Sequence, residues 1–494
     1  MKNRISSSLM GLLLGLLVAG FPPFQQALAQ SSAGGGAIQG TVRDEAGAAI
    51  AGAKVKITNE ATGLAQNLVT NESGYYVTPA LSIGVYAIRV EAQGMKSWEG
   101  KVQVETARSA SVEVVMVVGH VGDTVTIEGS VVPLVNTAEP TEGSTLDSKR
   151  ISELPINGRN INTLIEDVTP GVEGINNSNG GVRIGGMMVY STNYLQDGAS
   201  TNNIEMGGSG VIQGIDSIGE VRIETSTSSA KYTTPTSVII TTKGGGNQIH
   251  GSLFETHRNN AFGVARARQD VLFNGQDYQA PQLIRNEYGG SISGPVYLPR
   301  FGEGGKTWYD GHNRTFFFFS REGLRLRQGI TRDFSVPTLA MRQGDFSQLI
   351  DSQGRLQVLY DPLTTQIETI NGRQVAVRDP FPNNQIPISR ISPLAKYLFS
   401  ITPLPNIAAN PLTGANLRTA VPTTNFPDRD DDYNTVRLDH RFGEKDNGFL
   451  KVNGGKSYYH FIGNAGGIGP PTANNEANVT YLPMATIAGA LSWT

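Results

Sequence analysis

Tyr288-Gly289-Gly290-Ser291-Ile292-Ser293-Gly294-Pro295-Val296 alternates between two kinds of residue. Successive side chains of an extended chain point to opposite faces. Tyr288, Gly290, Ile292, Gly294 and Val296 therefore share one face, and Gly289, Ser291 and Ser293 share the other. One apolar face and one small, polar face is what a barrel wall strand needs. The pattern recurs nearby. Ile249, Gly251 and Leu253 oppose His250, Ser252 and Phe254. From Tyr433 to Phe442, Val436, Leu438, His440 and Phe442 oppose Arg437, Asp439 and Arg441, whose charges suit a lumen. Gly448 to Gly454 returns after the turn Glu444-Lys445-Asp446-Asn447. The run Phe316 to Phe319 suits a membrane-facing or interface position, with the core of a soluble sheet as the competing reading. The stretch from Glu322 to Arg429 is long, polar and rich in proline, with Asp361-Pro362, Asp379-Pro380 and Ser392-Pro393 as landmarks. Loops of that length belong outside the cell in outer-membrane barrels.

Composition agrees with a β-rich, glycine-punctuated chain. Glycine is 59 of 494 residues, charged residues are 17%, and the net charge is -3, which excludes a strongly basic nucleic-acid binder. Cysteine is absent, so disulfides, thiolate chemistry and Cys-ligated metals are excluded. His250 and His257, the closest pair of the six histidines, match no metal-ligand spacing. No convergent catalytic set is legible. The chain reads as a non-enzyme without cofactor or metal.

The N-terminus carries Lys2 and Arg4, then an apolar run from Met10 to Phe21, then Ala27-Leu28-Ala29. This is the three-part pattern of a secretory signal peptide over residues 1–29. The apolar run is short of the ~20 residues a spanning helix needs.

Residues 37–119 then read as a small antiparallel β-sandwich of about seven short strands. Ile38, Gly40 and Val42 alternate, as do Val55 and Ile57, and Tyr86, Ile88 and Val90 share a face. Gly40-Thr41-Val42-Arg43-Asp44-Glu45-Ala46-Gly47 and Thr70-Asn71-Glu72-Ser73-Gly74-Tyr75-Tyr76 resemble the two motifs of the carboxypeptidase regulatory-like domain. That Ig-like unit is the non-catalytic part of such peptidases, and no zinc pair stands here. Asp44 and Glu45 read as turn-capping residues, with a weak carbohydrate or calcium contact as the alternative.

Residues 121–246 change character to α/β. Asp123-Thr124-Val125-Thr126-Ile127 is a short extended stretch. Asp147 to Leu154 is a brief helix candidate before Pro155. Asn160 to Val168 is a better one, with Ile161, Leu164, Ile165 and Val168 in one stripe. Ile218 to Thr225 alternates, with Val221 and Ile223 inward and Glu220, Arg222 and Glu224 outward. Leu154-Pro155-Ile156-Asn157-Gly158-Arg159, Thr169-Pro170-Gly171, Asp197-Gly198 and Thr242-Lys243-Gly244 follow in order. This series resembles the plug of TonB-dependent outer-membrane receptors, Oar-like branch. The fold class is then mainly β: a sandwich, an α/β plug and, over 247–494, the first part of an outer-membrane β-barrel with a long loop at 322–429.

The resemblance implies an outer-membrane receptor and transporter for an unidentified substrate, in outer-membrane lipid. It implies energy supplied by an inner-membrane TonB-ExbB-ExbD complex. Asp123, Thr124, Val125, Thr126 and Ile127 are the candidate contact strand for that complex by β-augmentation. A linker between sandwich and plug is the competing reading. Arg159, Arg183 and Asp197 are the binding candidates in the plug. Arg159 and Arg183 are expected to pair with carboxylates on the inner wall, and Asp197 to cap its own turn with Gly198. The family barrel has 22 strands, and residues 252–494 are expected to hold about six to eight, so the chain reads as a C-terminally truncated fragment. The alternative function is a cell-surface adhesion or structural protein without transport. An adhesin would more readily show repeated sandwiches, and no second copy of Gly40 to Val55 is found.

Overall fold

The structure, a computed structural model, describes residues 34–119, 124–130, 142–154, 159, 161–174, 182–203, 207–210, 213–226, 234–260, 272–273, 276–277, 283–299, 308–328, 332–351, 353–402, 404–405, 417–420, 429–443, 446–462 and 479–493. The leader expected at 1–29, Asp123 and residues 155–158 lie outside this set.

Period-two alternation builds the first unit. Its strands are β1 (Ala37–Asp44), β2 (Lys54–Asn59), β3 (Ala65–Val69), β4 (Tyr75–Val77), β5 (Gly84–Glu91), β6 (Ser97–Val104), β7 (Ser109–Ser111) and β8 (Val114–Met116). Every second side chain turns inward, so Ile38, Val42, Ile57, Ile88, Trp98 and Val102 merge into one core. One sheet holds β4, β1, β7 and β8; the other runs β3-β2-β5-β6. The sandwich is mixed, not all antiparallel as expected. β7 and β8 lie parallel to β1, because the chain reaches them from the opposite sheet through β6 and not by a hairpin. Asp44 Oδ1 accepts from the N–H groups of Ala46 and Ala48 at 3.0 and 2.8 Å, which is turn capping.

The next strand, β9 (Thr124–Ser130), adds to the second sheet parallel to β6. Thr124, Val125 and Thr126 stand opposite Ser97, Trp98 and Glu99. The stretch proposed as a partner-binding strand thus already has one neighbour, and it forms the edge of its sheet.

A second core follows. It is made from β10 (Glu142–Asp147), α1 (Ser148–Glu153), α2 (Ile161–Val168), β11 (Val172–Gly174), β12 (Val182–Ile184), β13 (Thr192–Gln196), β14 (Ala199–Ser200), β15 (Ile218–Ser226) and β16 (Thr236–Thr242). The central sheet runs β10-β15-β16-β13-β14. Asp147 starts α1 by accepting from the Arg150 N–H at 2.8 Å. The α2 stripe buries Leu164 and Ile165 against Val221, Ile223, Val238 and Tyr194. The face expected to be outward is covered too: Glu220, Arg222 and Glu224 are all buried. Alternation reports the polarity of a face and not its exposure. Two of these buried charges pair with each other, Arg222 Nε lying 3.2 Å from Glu224.

The wall begins with β17 (His250–Asn259). A small hairpin of β18 (Leu272–Phe273) and β19 (Gln276–Asp277) precedes β20 (Leu283–Pro295), and a second of β21 (Tyr297–Pro299) and β22 (Trp308–Asp310) precedes β23 (Thr315–Gln328). An insertion then holds β24 (Arg332–Ser335), α3 (Leu339–Arg342), β25 (Gln366–Ile370), β26 (Arg373–Val377), α4 (Pro393–Ile401) and β27 (Leu417–Ala420). The wall resumes with β28 (Arg429–Arg441), β29 (Asn447–Ile462) and β30 (Val479–Trp493). Its order is β17-β20-β23-β28-β29-β30, every pair antiparallel, and among the described residues no sheet closes on itself.

Register sorts the wall's two faces. Ile292, Phe319, Val436 and Val452 form one row across four strands. They point away from the central sheet, with Ile292 44%, Val436 49% and the nearby Leu253 93% exposed. The opposite face buries Phe316, Phe318, Ser320, Glu322, Thr435, Arg437, Lys451 and Asn453. The four phenylalanines are therefore divided between the faces, since a strand cannot place four consecutive side chains on one side.

The stretch expected as a loop over 322–429 is both shorter and more ordered. β23 continues to Gln328 and β28 begins at Arg429. Within the insertion β24 pairs with β27, and β25 with β26. Asn384 is its buried hub, in the left-handed region at φ 59. Its Oδ1 accepts from the Leu359 N–H at 2.7 Å, and its Nδ2 donates to the carbonyls of Phe346 (2.7 Å) and Gln357 (3.0 Å). Asn384→Ala should cost the insertion about 3 kcal/mol, because three backbone groups lose their partner. Limited proteolysis should then cut between residues 345 and 390 while the wall stays intact; unchanged resistance would contradict the hub.

Candidate functional site

A cluster of deeply buried charges lies where the central sheet meets the wall. β13 and β14 are joined by Asp197-Gly198, at φ 46 and φ 86, the two left-handed residues of a type I′ hairpin turn. The Asp197 carboxylate does not cap this turn. It accepts from the Thr242 N–H at 2.8 Å and the Thr242 hydroxyl at 2.7 Å, on the neighbouring β16. It then meets two wall cations: Arg437 Nη1 at 3.4 Å, and Lys451 Nζ in direct contact. The side chains of Asp197, Lys451 and Arg437 are 2%, 3% and 8% exposed.

Arg437 and Lys451 stand opposite each other on β28 and β29, which is why both reach one carboxylate. Arg437 also donates to Asp439 Oδ1 at 2.8 Å and to the Thr242 carbonyl at 3.1 Å, and its guanidinium lies 4.2 Å over the Phe449 ring. Lys451 donates further to the Thr242 hydroxyl at 2.8 Å. The group is thus a neutral quartet of two acids and two bases. Burial alone would raise the Asp197 carboxyl, but Lys451, Arg437 and the Thr242 N–H outweigh it and hold it below the usual carboxylate value.

A second contact repeats this design. Glu322 on β23 accepts from Arg159 Nε at 3.1 Å and from the Asp216 N–H at 2.5 Å. Arg159 also lies 3.9 Å over the Phe254 ring of β17. Gly214 makes the approach possible, since a Cβ there would sit 2.5 Å from Glu322 Oε1. Arg183 behaves differently: on the exposed side of β12 it pairs at 3.4 Å with Glu173 of β11, its cross-strand neighbour.

Residues 241–493, from the end of β16 through the whole wall, match the family model of the outer membrane beta barrel domain. The match covers just over half of the sequence. The chain belongs to this family. Residues 37–117, the sandwich, match the carboxypeptidase regulatory-like domain. The TonB-dependent transporter Oar of Myxococcus xanthus is 27% identical over 240 residues, 47% of this chain and 22% of Oar. The chain thus spans about a fifth of the length of that curated relative. Among solved structures, the outer membrane transporter YddB from Escherichia coli aligns with 71% of this chain and 36% of its own, at 12% identity and a TM-score of 0.37. Catechol 1,2-dioxygenase from Acinetobacter radioresistens aligns with 23% of this chain and 64% of its own, at 14% identity and a TM-score of 0.17. Neither alignment bears on function.

In this outer-membrane β-barrel family member, the quartet borders a cleft of about 280 Å³ between sandwich, central sheet and wall. Asn59, Asp197, Thr242, Arg314, Arg437 and Phe449 are among its lining residues. Among the described residues no three His, Cys, Asp or Glu side chains are placed to hold a metal ion. Chemically, the arrangement can bind one sheet to another and exclude water from the bond. Of the sequence candidates, Arg159 and Asp197 reach the wall, and Arg183 pairs with Glu173 instead. Lys451, Thr242, Gln196 and Asn453 were not anticipated, although Asn453 Nδ2 donates to Gln196 Oε1 at 3.0 Å beside the quartet. The available signal was parity: Lys451 and Asn453 fall on the inward side of β29 once Leu450 and Val452 are assigned outward.

Proposed function

We propose that the chain acts as an outer-membrane TonB-dependent receptor and transporter, moving an unidentified substrate. Residues 37–119 are the sandwich, 121–246 the plug and 247–494 barrel wall, following a cleaved leader at 1–29. The sandwich and plug face the periplasm and lumen, and the insertion lies outside the cell. The observation that carries this reading is the quartet: an interior sheet is bolted to a wall strand by a buried, desolvated ion group. Removing one partner of such a group costs about 3–5 kcal/mol. Thermal motion opens it rarely, so a plug held this way is displaced by work from outside. The TonB-ExbB-ExbD complex would supply that work, pulling at the stretch Asp123 to Ile127, of which Thr124 to Ile127 lie in the edge strand β9. Arg159 and Asp197 then serve as attachment points, and the exposed Arg183 is the remaining substrate-contact candidate.

The test places a single cysteine at Thr201 in this cysteine-free chain and follows its labelling from outside intact cells. Labelling should rise when the energy-coupling complex is active and fall with a protonophore. Labelling indifferent to both would sink the reading and favour a static surface protein. Location has its own check. Ile292→Arg puts a charge on the lipid face and should cost about 2–4 kcal/mol near the bilayer midplane. The measured result would be less heat-modifiable protein in the outer-membrane fraction; an unchanged fraction would mean that Ile292 does not face lipid.

A further inference from the structure

A buried acid of the central sheet reaches the sandwich. Glu220 of β15 is 4% exposed. Its Oε2 accepts from both the N–H and the hydroxyl of Thr106, each at 3.1 Å, in the turn between β6 and β7 of the sandwich. The Thr106 hydroxyl is 2.9 Å from the Thr241 hydroxyl of β16, which donates to the Gly34 carbonyl at 3.2 Å. The other oxygen, Oε1, is buried and has no hydrogen-bond partner among the described residues. Ile83 of the sandwich packs beside the preceding residue, Gly219, where a Cβ would come within 3.0 Å of it.

Among the described residues no cation forms an ion pair with this carboxylate. Arg222, on the same strand, is engaged by Glu224 at 3.2 Å. From the sandwich comes a further acid, Glu105, paired with Arg108 at 2.6 Å. Asp147, opposite Glu220 on β10, spends its carboxylate on the α1 cap. An anion at Glu220 therefore gains only two hydrogen bonds while losing its water.

We propose that Glu220 is a proton-operated latch, holding the sandwich on the central sheet when protonated and loosening it when ionised. The reading stands apart from the transport proposal, since it concerns only how two parts of this chain dock. Its sign follows from linkage. Burial, with a contribution from Glu105 and against the Thr106 bonds and Arg222, pushes the docked carboxyl up to about 7 from the usual 4.5. Docking therefore takes up a proton. The docked state gains fully below the usual value, and the gain is lost as pH rises through about 7. Between pH 5 and pH 8 the docking equilibrium constant should fall roughly 70-fold.

The absence of native cysteine allows Val69→Cys on β3 and Met188→Cys after β12, both exposed, to be spin-labelled in the full chain. Pulsed electron resonance should show one short label distance at pH 5 and a growing longer population towards pH 8. Glu220→Gln should hold the short distance across the range. Should that variant misfold, Glu105→Gln removes the neighbouring acid, eases ionisation of Glu220 in the docked state and should make the fall in docking between pH 5 and pH 8 smaller than in wild type. Populations that do not change from pH 5 to pH 9 overturn the latch. So does a Glu220→Gln protein that titrates like wild type, or a fall in docking that Glu105→Gln leaves as large as in wild type.

Discussion

Asp197→Asn should weaken the bond between central sheet and wall by about 3–5 kcal/mol, the cost of leaving a buried charge without its partner. Asparagine tolerates the left-handed backbone at φ 46, so the turn itself survives. What is lost is the anion between Arg437 and Lys451. Asp439 still holds one side of Arg437, while Lys451 keeps only the Thr242 hydroxyl. Asp197→Ala should cost more, since it adds strain at the turn. Hydrogen exchange reads the effect directly: amides of β13 and β16 should lose protection in both variants, and those of the sandwich should not. Equal protection in wild type and Asp197→Asn would mean that the quartet does not hold the sheets together. Acid offers an independent check. The folded carboxyl lies below its unfolded value, so the bond is at full strength above the usual carboxylate range. It is lost only as pH falls through that lowered value. Acidifying from pH 7 to pH 5 should leave β13 and β16 protected.

Trp98→Ala should cost the sandwich about 3–5 kcal/mol. Trp98 is buried between Val90 of β5 and Val125 of β9 in the register of the second sheet. Its ring is the largest side chain in a core built mostly from valine and isoleucine. The cavity has little means of closing, because its walls are strands tied by their own ladders. Exchange of amides in β2, β5 and β6 should accelerate while the wall amides stay protected. Loss confined to β9 would instead assign Trp98 the smaller role of seating the edge strand.

Much of this architecture was legible because strands write a period of two into the sequence. Ile292 against Ser291, and Val436 against Arg437, gave the two faces of the wall before any pairing was known. The α2 stripe of Leu164 and Ile165 was equally plain. The polar interior was harder to read. Glu220, Arg222 and Glu224 look like a solvent face, and only the packing of a second sheet turns them inward. Asp197 looked like a turn residue because Asp-Gly commonly is one; its wall partners lie 240 and 254 positions away. Such pairs carry no local signature. The parallel placement of β7 and β8 escaped for the same reason, since strand order is set by long-range crossovers and not by alternation. The ordered insertion was hidden by its prolines, which suggest an open loop but here start 3-10 turns and α4.

The pairing of β24 with β27 at the foot of the insertion changes how the wall can assemble. Joining β23 to β28 across a disordered connection of about 100 residues would carry a loop-closure entropy roughly 3 kcal/mol larger than that of a short hairpin. Once β24 and β27 have met, that penalty has already been met by a unit with its own contacts. The two wall strands are then kinetically close neighbours, linked through a folded clip. Early folding of the insertion should therefore speed β23–β28 pairing, and excising 336–416 with a short turn in their place should leave the wall register unchanged.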